Sequence, residues 1–300
     1  MQSTIDINYQ KNHPCQINDA LQELNEEINR RKFPGGQAKL IGIETGFTDL
    51  DKVMSGMRLG SLIVVAARPA MGKFTFALNI ASHVALDAKL PVLVFSMEIS
   101  SVSVASRLVS QVGKVDMKKI RTGKLDEVDQ SNLDAAQERI KGAPLFIDDT
   151  PSLTIEEIIA RSREAAVQHG QLGLIVVDYL QLIAPIALGD GDPEGYSGVM
   201  ARIRDLAREI DTPIILVSQL SDRLEKRRNK RPRISDLPDR AIGQYSDLLM
   251  FMYRDERYNP DSLEKDAAEI TIGRHRYGAV GMFLLGTMRM KYCEFSNYMK

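Results

Sequence analysis

The stretch SLIVVAARPAMGKFTFALN, residues 61–79, decides the fold. Its first half, residues 62–67, is a short apolar run rich in β-branched residues, which predicts a strand buried on both faces. A tight turn follows, and residues 74–86 have a helical pattern. A helix that starts directly after such a turn points unpaired backbone N–H groups and partial positive charge at it. The stretch therefore predicts a binding site for phosphate.

The turn departs at two positions from the usual phosphate-binding pattern G-x-x-x-x-G-K-[ST]. Ala67 stands at the first glycine, and Phe74 stands where a serine or threonine hydroxyl would contact Mg²⁺. The next residue is a threonine, but it lies about 100° further round the helix and should not substitute. An ordinary strand–helix turn with a chance Gly-Lys pair is the alternative. We predict that the nucleotide contacts come from Arg68, Pro69, Ala70, Met71, Gly72, Lys73, Phe74 and Thr75.

The composition limits the class of protein. Of the 300 residues, 44% are hydrophobic and 26% are charged, which is typical of a globular chain with ample core. The net charge is -1, so any contact with DNA must be local. The two cysteines, Cys15 and Cys293, have no metal-ligand spacing. Since no apolar run approaches the roughly 20 residues of a membrane span, we expect a cytoplasmic protein.

The chain is predicted to consist of a tail, a helix with a linker, and one large domain. Residues 1–16 are polar and irregular, and we expect a flexible tail there. The next segment has apolar residues at helical spacing, namely Ile17, Ala20, Leu21, Leu24 and Ile28. This amphipathic helix and a Pro-Gly-Gly linker occupy residues 17–36, and the large domain occupies residues 37–300. The apolar stripe can fold back on its own core or dock on another subunit.

Strands and helices alternate along the large domain. Apolar strands are predicted at residues 62–67, 91–98, 145–147, 174–178 and 213–219. Helices are predicted at residues 74–86, 100–112, 126–140, 154–169 and 196–210. This alternation predicts an α/β fold with a mainly parallel central sheet and helices on both faces. Three short strands, at 248–253, 269–272 and 282–285, are expected to be antiparallel and to extend the sheet edge.

Polar residues follow three of the predicted strands. Asp178 ends IVVD, Glu98 lies in FSMEIS, and Gln219 ends LVSQ. The carboxyl ends of parallel strands meet at one edge of a sheet, so these side chains are expected beside the phosphate turn. Asp178 can hold the water shell of Mg²⁺, Glu98 can act as general base, and Gln219 can sense a γ-phosphate. Each residue alone is as well explained by an ordinary strand end or helix start, but the combination favours ATP and Mg²⁺.

The basic segment RLEKRRNKRPR, residues 223–233, follows the last of these strand ends. A solvated charge run is the default interpretation, and contact with DNA phosphates is the sharper one. The candidate phosphate contacts are Arg227, Arg228, Lys230 and Arg231. Arg274 and Arg276 end a later strand, where they are either surface charges or, in a ring of subunits, able to reach a neighbour's γ-phosphate.

A series of stretches resembles the bacterial and phage DnaB replicative helicases, in family order over about residues 17–297. They are TGFTDLDKVMSG (45–56), VVAARPAMGK (64–73), FSMEIS (95–100), VVDYLQLI (176–183), VSQLSDRLEKRRNKRPRISDL (217–237), MFMYRDERYNPDS (250–262) and ITIGRHRYG (270–278). The resemblance implies a RecA-like P-loop motor domain. It also implies a ring of six copies on single-stranded DNA, with ATP between the subunits.

The resemblance assigns a role to each site residue by position. Gly72 and Lys73 match the phosphate ligands, and Glu98 matches the catalytic base. Asp178 matches the acid that holds the metal, and Gln219 matches the sensor. Arg276 matches the arginine finger, and Arg274 takes the place of a neighbouring lysine. The family's DNA-gripping loop corresponds to residues 238–247, which contain Arg240 and are one residue shorter and chemically different here.

Two functions remain open at this point. The first is an ATP-dependent DnaB-type helicase, which requires ATP turnover stimulated by single-stranded DNA. The second is a nucleotide-binding, hydrolysis-poor relative that joins or regulates a helicase ring, because Phe74 removes the metal-binding hydroxyl. The helix at 17–30 resembles the family's linker helix, and we expect the N-terminal collar domain, the usual platform for primase, to be absent. Primase and a helicase loader remain candidate partners.

Overall fold

The computed structural model describes residues 16–31, 40–183 and 195–297. They belong to two units, one that ends at Ile41 and one that starts at Gly42. The first unit contains helix α1, Ile17–Arg31, at the place that the apolar spacing predicts. Its side chains Ile17, Leu21, Leu24 and Ile28 are between 40% and 71% exposed. Residues 1–15 of the predicted tail and 32–36 of the predicted linker lie outside the described residues.

Within the described ranges, the second unit contains nine strands. They are β1 (Leu62–Ala67), β2 (Val92–Ser96), β3 (Leu145–Asp148), β4 (Leu174–Asp178), β5 (Ile214–Gln219), β6 (Leu248–Tyr253), β7 (Ala267–His275), β8 (Gly281–Arg289) and β9 (Glu294–Phe295). One sheet contains them in the order β3-β2-β4-β5-β1-β6-β7-β8-β9. The strands from β3 to β6 in this order are parallel, whereas β7, β8 and β9 each pair antiparallel with the strand before.

The helices of this unit precede β1 or lie between the strands in the chain. They are α2 (Thr48–Met54), α3 (Lys73–Leu86), α4 (Ser101–Gly113), α5 (Met117–Thr122), α6 (Glu127–Ile140), α7 (Ile155–His169), α8 (Gly195–Glu209) and α9 (Arg240–Tyr245). The short helices α2, α5 and α9 are additions to the predicted set. In the part of the chain that the structure describes, no helix is long and apolar enough to span a membrane.

The mainly parallel sheet with antiparallel C-terminal strands is confirmed, with one correction. The expectation that β6 is antiparallel is wrong, because it pairs in parallel with β1, with Ile63 opposite Leu248. An apolar run shows that a segment is a strand, but the connection before it sets its direction. Helix α9 precedes β6, and a crossover through helical structure returns a strand in the parallel sense.

Both faces of the sheet are covered by helices. Alternate residues of β1 point to opposite faces, so Ile63 and Val65 pack with α3 and α4, whereas Leu62 and Val64 pack with α7 and α8. Every residue of β1 is buried. Each buried valine, isoleucine or leucine contributes roughly 1.5–3 kcal/mol to the folded state. This packing on both faces holds β1 in place, and with it the turn that follows β1.

Candidate nucleotide-binding site

The turn after β1 is the candidate phosphate cradle. Gly72 precedes α3 with a φ of 93°, a left-handed conformation that glycine adopts without steric cost. The first bond of the helix runs from the Phe76 N–H to the Gly72 carbonyl at 2.9 Å, so the preceding helical N–H groups are left for an anion. Lys73 Nζ donates to the carbonyl of Arg68 at 3.2 Å. The lysine is thereby held over the loop, where its positive charge adds to that of the helix start.

Arg68 ties the cradle to the segment that follows β5. Its Nη1 donates to the carbonyl of Leu220 at 2.7 Å, and its Nε donates to a carboxylate oxygen of Glu225 at 2.9 Å. The Tyr258 hydroxyl donates to the same oxygen at 2.9 Å. Burial, followed by this bond to Glu225, raises the pKa of Tyr258 to about 12. Arg68 therefore shapes the cradle, while its predicted contact with nucleotide stays a prediction.

The predicted strand-end residues lie along one edge of the sheet. Ser96 of β2 is opposite Asp178 of β4, and Ala67 of β1 is opposite Gln219 of β5. Glu98 lies two residues beyond the end of β2. The strand order β2-β4-β5-β1 therefore places Glu98, Asp178, Gln219 and the cradle in a row along this edge. Neighbouring strands of a sheet lie about 4.8 Å apart. The structure thus brings these predicted residues together.

The charges at this edge act on one another. Asp178 is only 3% exposed, whereas Glu98 is exposed. Burial and the charge of Glu98 raise the pKa of Asp178 to about 7, and the cations Lys73 and Arg107 oppose that shift. Burial also lowers the pKa of Lys73, which the carboxylates of Asp178 and Glu98 oppose. Two acids and two cations therefore share one electrostatic environment.

Gln181, which the sequence did not single out, joins two of the strand ends. Its Nε2 donates to Ser218 Oγ at 3.1 Å and to the carbonyl of Gln219 at 3.3 Å. Its Oε1 accepts from the N–H of Gln219 at 3.1 Å. The side chain thereby pairs with the end of β5 much as another strand would. In the sequence, only its position three residues after Asp178 could have indicated that Gln181 lies at this edge. The Gln181 side chain fixes the backbone of Gln219.

Phe74 offers no oxygen to a magnesium ion. Its ring is 8% exposed and belongs to the core cluster that includes Val104 and Leu108 of α4. Thr75 is buried at the next position. Among the described residues, no three His, Cys, Asp or Glu side chains are grouped as a metal site. The donor set does not fit Mg²⁺ bound in the usual P-loop manner, and a metal role for Asp178 stays a prediction.

The two candidate finger arginines lie at the opposite edge of the sheet. Strand β7 ends at His275, which is opposite Leu248 at the start of β6, and β6 starts beside Ile63 near the start of β1. The cradle follows the far end of β1, whose six residues span about 20 Å. Arg274 and Arg276 are therefore too far away to reach the cradle of their own chain.

Both arginines have contacts within the chain. The N–H of Arg276 donates to the carbonyl of Asp247 at 2.8 Å, and its Nε lies 3.1 Å from Oδ1 of that buried aspartate. Arg274 Nη1 donates to the carbonyl of Gly243 at 2.7 Å. The side chain of Arg276 is 28% exposed. Arg276 is thus held at an edge of the sheet where it is accessible to a second molecule.

Most of the predicted DNA contacts in the basic segment have partners inside the protein. Arg227 donates to both carboxylate oxygens of Asp236 at 2.9 Å, and Arg231 donates to both oxygens of Glu269 at 2.6 and 2.7 Å. Lys230 donates to the carbonyl of Glu225. These contacts leave fewer N–H groups for DNA phosphates.

Two of the predicted DNA-contacting residues remain available. Arg228 and Arg240 are exposed. Neither forms a hydrogen bond or an ion pair with any residue in the described ranges. Arg240 is the first residue of α9, and Arg228 lies in the basic segment. DNA contact stays a prediction, now with these two arginines as its main candidates.

A buried strand, a Gly-Lys turn at a helix start and a row of polar strand ends define a P-loop nucleotide-binding domain of RecA-like fold. Residues 42–297 match the family model described as "DnaB-like helicase C terminal domain". The chain belongs to this family.

Similar replicative helicases support this membership. Replicative DNA helicase DnaB of Haemophilus influenzae is 39% identical over 271 residues, which are 89% of this chain and 58% of the relative. The DnaB helicase of Geobacillus stearothermophilus is 38% identical over 283 residues, which are 94% of this chain and 62% of the relative. The chain thus spans about three fifths of the length of these relatives.

Solved structures agree with the fold. One that is described as an ATPase domain superposes with a TM-score of 0.87 at 30% identity, covering 95% of this chain and 99% of that chain. A DnaB-like replicative helicase, described with its interactions with primase, superposes with a TM-score of 0.85 at 30% identity. That match covers 95% of this chain and 67% of the other.

Proposed function

We propose that this chain is the ATP-dependent motor of a DnaB-type DNA helicase, which translocates on single-stranded DNA to unwind duplex. The observation that carries the proposal is the position of the candidate catalytic groups at two opposite edges of the sheet. The cradle lies at one edge and Arg276 at the other, so the two can act together only between two copies. Copies that pack head to tail with a closing rotation form a ring, and the family resemblance gives six copies.

Each residue at the cradle has a separate task in this proposal. The backbone N–H groups after Gly72 and the ammonium of Lys73 bind the phosphates of ATP. Glu98 accepts a proton from the attacking water, as a general base does. Gln219, whose backbone Gln181 fixes, responds to the presence of the γ-phosphate.

The neighbouring copy completes the site. Arg276 supplies positive charge to the γ-phosphate as negative charge develops on its oxygens during transfer to water. To do so, its guanidinium exchanges the contact with Asp247 for a phosphate oxygen. Arg274, through the carbonyl of Gly243, keeps the end of β7 in place. Release of Arg276 after turnover then offers a way to couple hydrolysis to movement of one copy against the next.

The same proposal names the partners. Single-stranded DNA is bound through its phosphates, with Arg228 and Arg240 as the available cations. Primase or a helicase loader is a further candidate partner, since one structural relative is described with its interactions with primase. We place the protein in the cytoplasm with these partners, because its relatives are replicative helicases.

A second candidate function rests on Phe74. Loss of the hydroxyl weakens turnover more than binding, since phosphate binding depends mainly on backbone N–H groups and Lys73. A protein of this kind would bind nucleotide, hydrolyse it poorly, and join or regulate a helicase ring.

Steady-state ATP turnover, measured with and without single-stranded DNA and beside ATP binding, separates the two functions. The helicase proposal predicts that DNA stimulates turnover severalfold. Binding of ATP without any turnover stimulated by DNA would overturn the helicase proposal and support the second candidate. Absence of ATP binding under all conditions would overturn both.

A further inference from the structure

Arg107 has a guanidinium group without a task in the site described above. It lies on α4, and its guanidinium is 5.7 Å from the centre of the Phe74 ring. It forms no hydrogen bond or ion pair with the residues that the structure describes. Its charge opposes the upward pKa shift of Asp178, so it lies within electrostatic range of the strand-end acids. An unpaired cation therefore stands beside the candidate phosphate site.

The Phe74 ring attracts this cation but leaves its hydrogen-bonding groups free. A guanidinium over an aromatic face within about 6 Å is held by the quadrupole of the ring. Such a contact satisfies none of the five N–H donors of arginine. Arg107 is half-buried, which makes an anionic partner more favourable than at a fully exposed position. Phosphate matches this donor geometry well because it accepts two parallel N–H bonds.

The position of the ring connects this cation to the cradle. Phe74 is the second residue of α3, in the turn whose free N–H groups face the phosphate loop. In a P-loop of the usual pattern, the side chain at this position holds a divalent cation. Here the side chain at the same position holds a guanidinium. Both arrangements place positive charge beside the phosphates, but only one of them needs a metal.

We propose that Arg107, held on the Phe74 ring, supplies the positive charge that a divalent cation supplies in the usual P-loop. The site then binds the phosphates of a nucleoside triphosphate without a divalent metal. This inference rests on the nucleotide binding in the proposed function and is independent of hydrolysis.

Binding of ATP to the full chain, measured by calorimetry in excess EDTA and in excess Mg²⁺, tests the inference. We expect the two affinities to agree within about threefold. Arg107→Gln is expected to weaken binding in EDTA by roughly ten- to a hundredfold, since a hydrogen bond between charged groups is lost. Arg107→Lys should retain only part of the affinity in EDTA, because an ammonium lacks the planar donor geometry of a guanidinium. Arg121→Gln, which removes an exposed arginine of α5, is the matched control and should leave both affinities unchanged.

Two substitutions of Phe74 test the role of the ring. Phe74→Leu keeps an apolar core residue but removes the aromatic face, and it should weaken binding in EDTA severalfold. Phe74→Thr should make binding about tenfold tighter in Mg²⁺ than in EDTA. ATP binding by the parent chain that requires Mg²⁺ and is insensitive to Arg107→Gln would overturn the inference and leave the proposed function standing. Absence of ATP binding in both buffers would overturn both.

Discussion

At position 74 the side chain is a phenyl ring, where the usual phosphate-binding pattern has a hydroxyl. The free N–H groups at the start of α3 and the ammonium of Lys73 remain available to ATP. The ring, however, is buried beneath Arg107 and presents no oxygen to a metal ion. Phosphoryl transfer depends on positioning and charge neutralisation more than on covalent chemistry. A change at this position should therefore affect the rate of hydrolysis more than the affinity for ATP in Mg²⁺.

Replacing Phe74 with threonine should raise ATP turnover. If the missing ligand is worth about 3–4 kcal/mol of transition-state stabilisation, turnover rises by roughly two to three orders of magnitude. Affinity for ATP in Mg²⁺ should change little. Steady-state turnover measures the first effect and calorimetry the second, with Phe74→Leu as a control that removes the ring without adding a hydroxyl. If the parent chain already hydrolyses ATP as fast as Phe74→Thr, the site has found another metal ligand.

Burial of Asp178 should make stability depend on pH. Burial raises its pKa from 3.8 to about 7, so between these values the folded protein keeps a proton that the unfolded chain has lost. The free energy of unfolding therefore falls as pH rises from about 4 to 7 and then levels off, by up to about 4 kcal/mol from this group. Asp178→Asn removes the ionisation. Its stability advantage over the parent should be small near pH 4 and largest near pH 8.

Urea unfolding of the nucleotide-free protein in EDTA measures this difference. EDTA keeps metal ions from altering the charge balance around Asp178. A stability difference between Asp178→Asn and the parent that is the same at both pH values would contradict the assignment of a raised pKa to this carboxyl.

At the scale of elements, two adjacent arginines in the segment after β5 have different surroundings. Arg227 is paired with both oxygens of Asp236, which is 4% exposed, whereas Arg228 is exposed. Removing one partner of a buried ion pair leaves an uncompensated charge and costs about 3–5 kcal/mol. Removing an exposed, unpaired arginine costs about 0.5 kcal/mol or less. Neighbours in the sequence should therefore differ in what their loss affects.

Arg227→Ala should lower the free energy of unfolding by about 3 kcal/mol, while Arg228→Ala should leave it nearly unchanged. For DNA, the expectation is the reverse. Arg228→Ala should reduce the slope of log affinity for single-stranded DNA against log salt by about one unit. Arg240→Ala should act like Arg228→Ala if α9 also contacts phosphates. A salt slope that is unchanged in both variants would show that these arginines are solvated surface residues without contact to DNA phosphates.

The strands were predictable because their signal is local. Residues Leu62–Ala67 and Leu174–Asp178 are unbroken apolar runs, and both strands have the predicted bounds. The short helix α2 was not predicted because its first residue follows Phe47, which offers no side-chain cap. The direction of β6 was predicted wrongly because an apolar run carries no information about the connection that precedes it.

The site was predictable only in part, because some contacts join residues that are far apart in the chain. Each strand-end polar residue follows an apolar run, so the row along the sheet edge could be inferred. The contact of Arg107 with Phe74 spans two helices and leaves no periodic pattern. The pairs Arg227–Asp236 and Arg231–Glu269 likewise required the folded chain, since a run of basic residues does not reveal which cations are neutralised.

At the scale of the whole molecule, α1 is a candidate for contact between copies. Its apolar side chains are exposed, and an exposed apolar stripe on a helix favours burial against a partner. Deleting residues 1–34 should therefore convert assemblies into smaller species, as measured by light scattering. Deleting residues 1–15, which keeps α1, is the control and should leave the assembly intact. An unchanged mass distribution after the longer deletion would argue that α1 has no part in assembly.

The placement of Arg276 and the cradle at opposite edges makes a stronger demand on assembly. No movement of side chains brings them together in one molecule, because the length of β1 separates them. If both groups serve one reaction, each site must be built from two copies. Two different inactive variants, mixed together, can then regain sites in which every group is intact.

Turnover of ATP by a mixture of Lys73→Ala and Arg276→Gln chains tests this claim most directly. Each variant alone lacks one half of every site and should be close to inactive. In a randomly assembled one-to-one mixture, about a quarter of the interfaces join an intact cradle to an intact Arg276. We predict turnover well above the sum of the two separate variants, in the parent chain or in the Phe74→Thr background if that gives the larger signal. A mixture no more active than its components would contradict a site shared between copies.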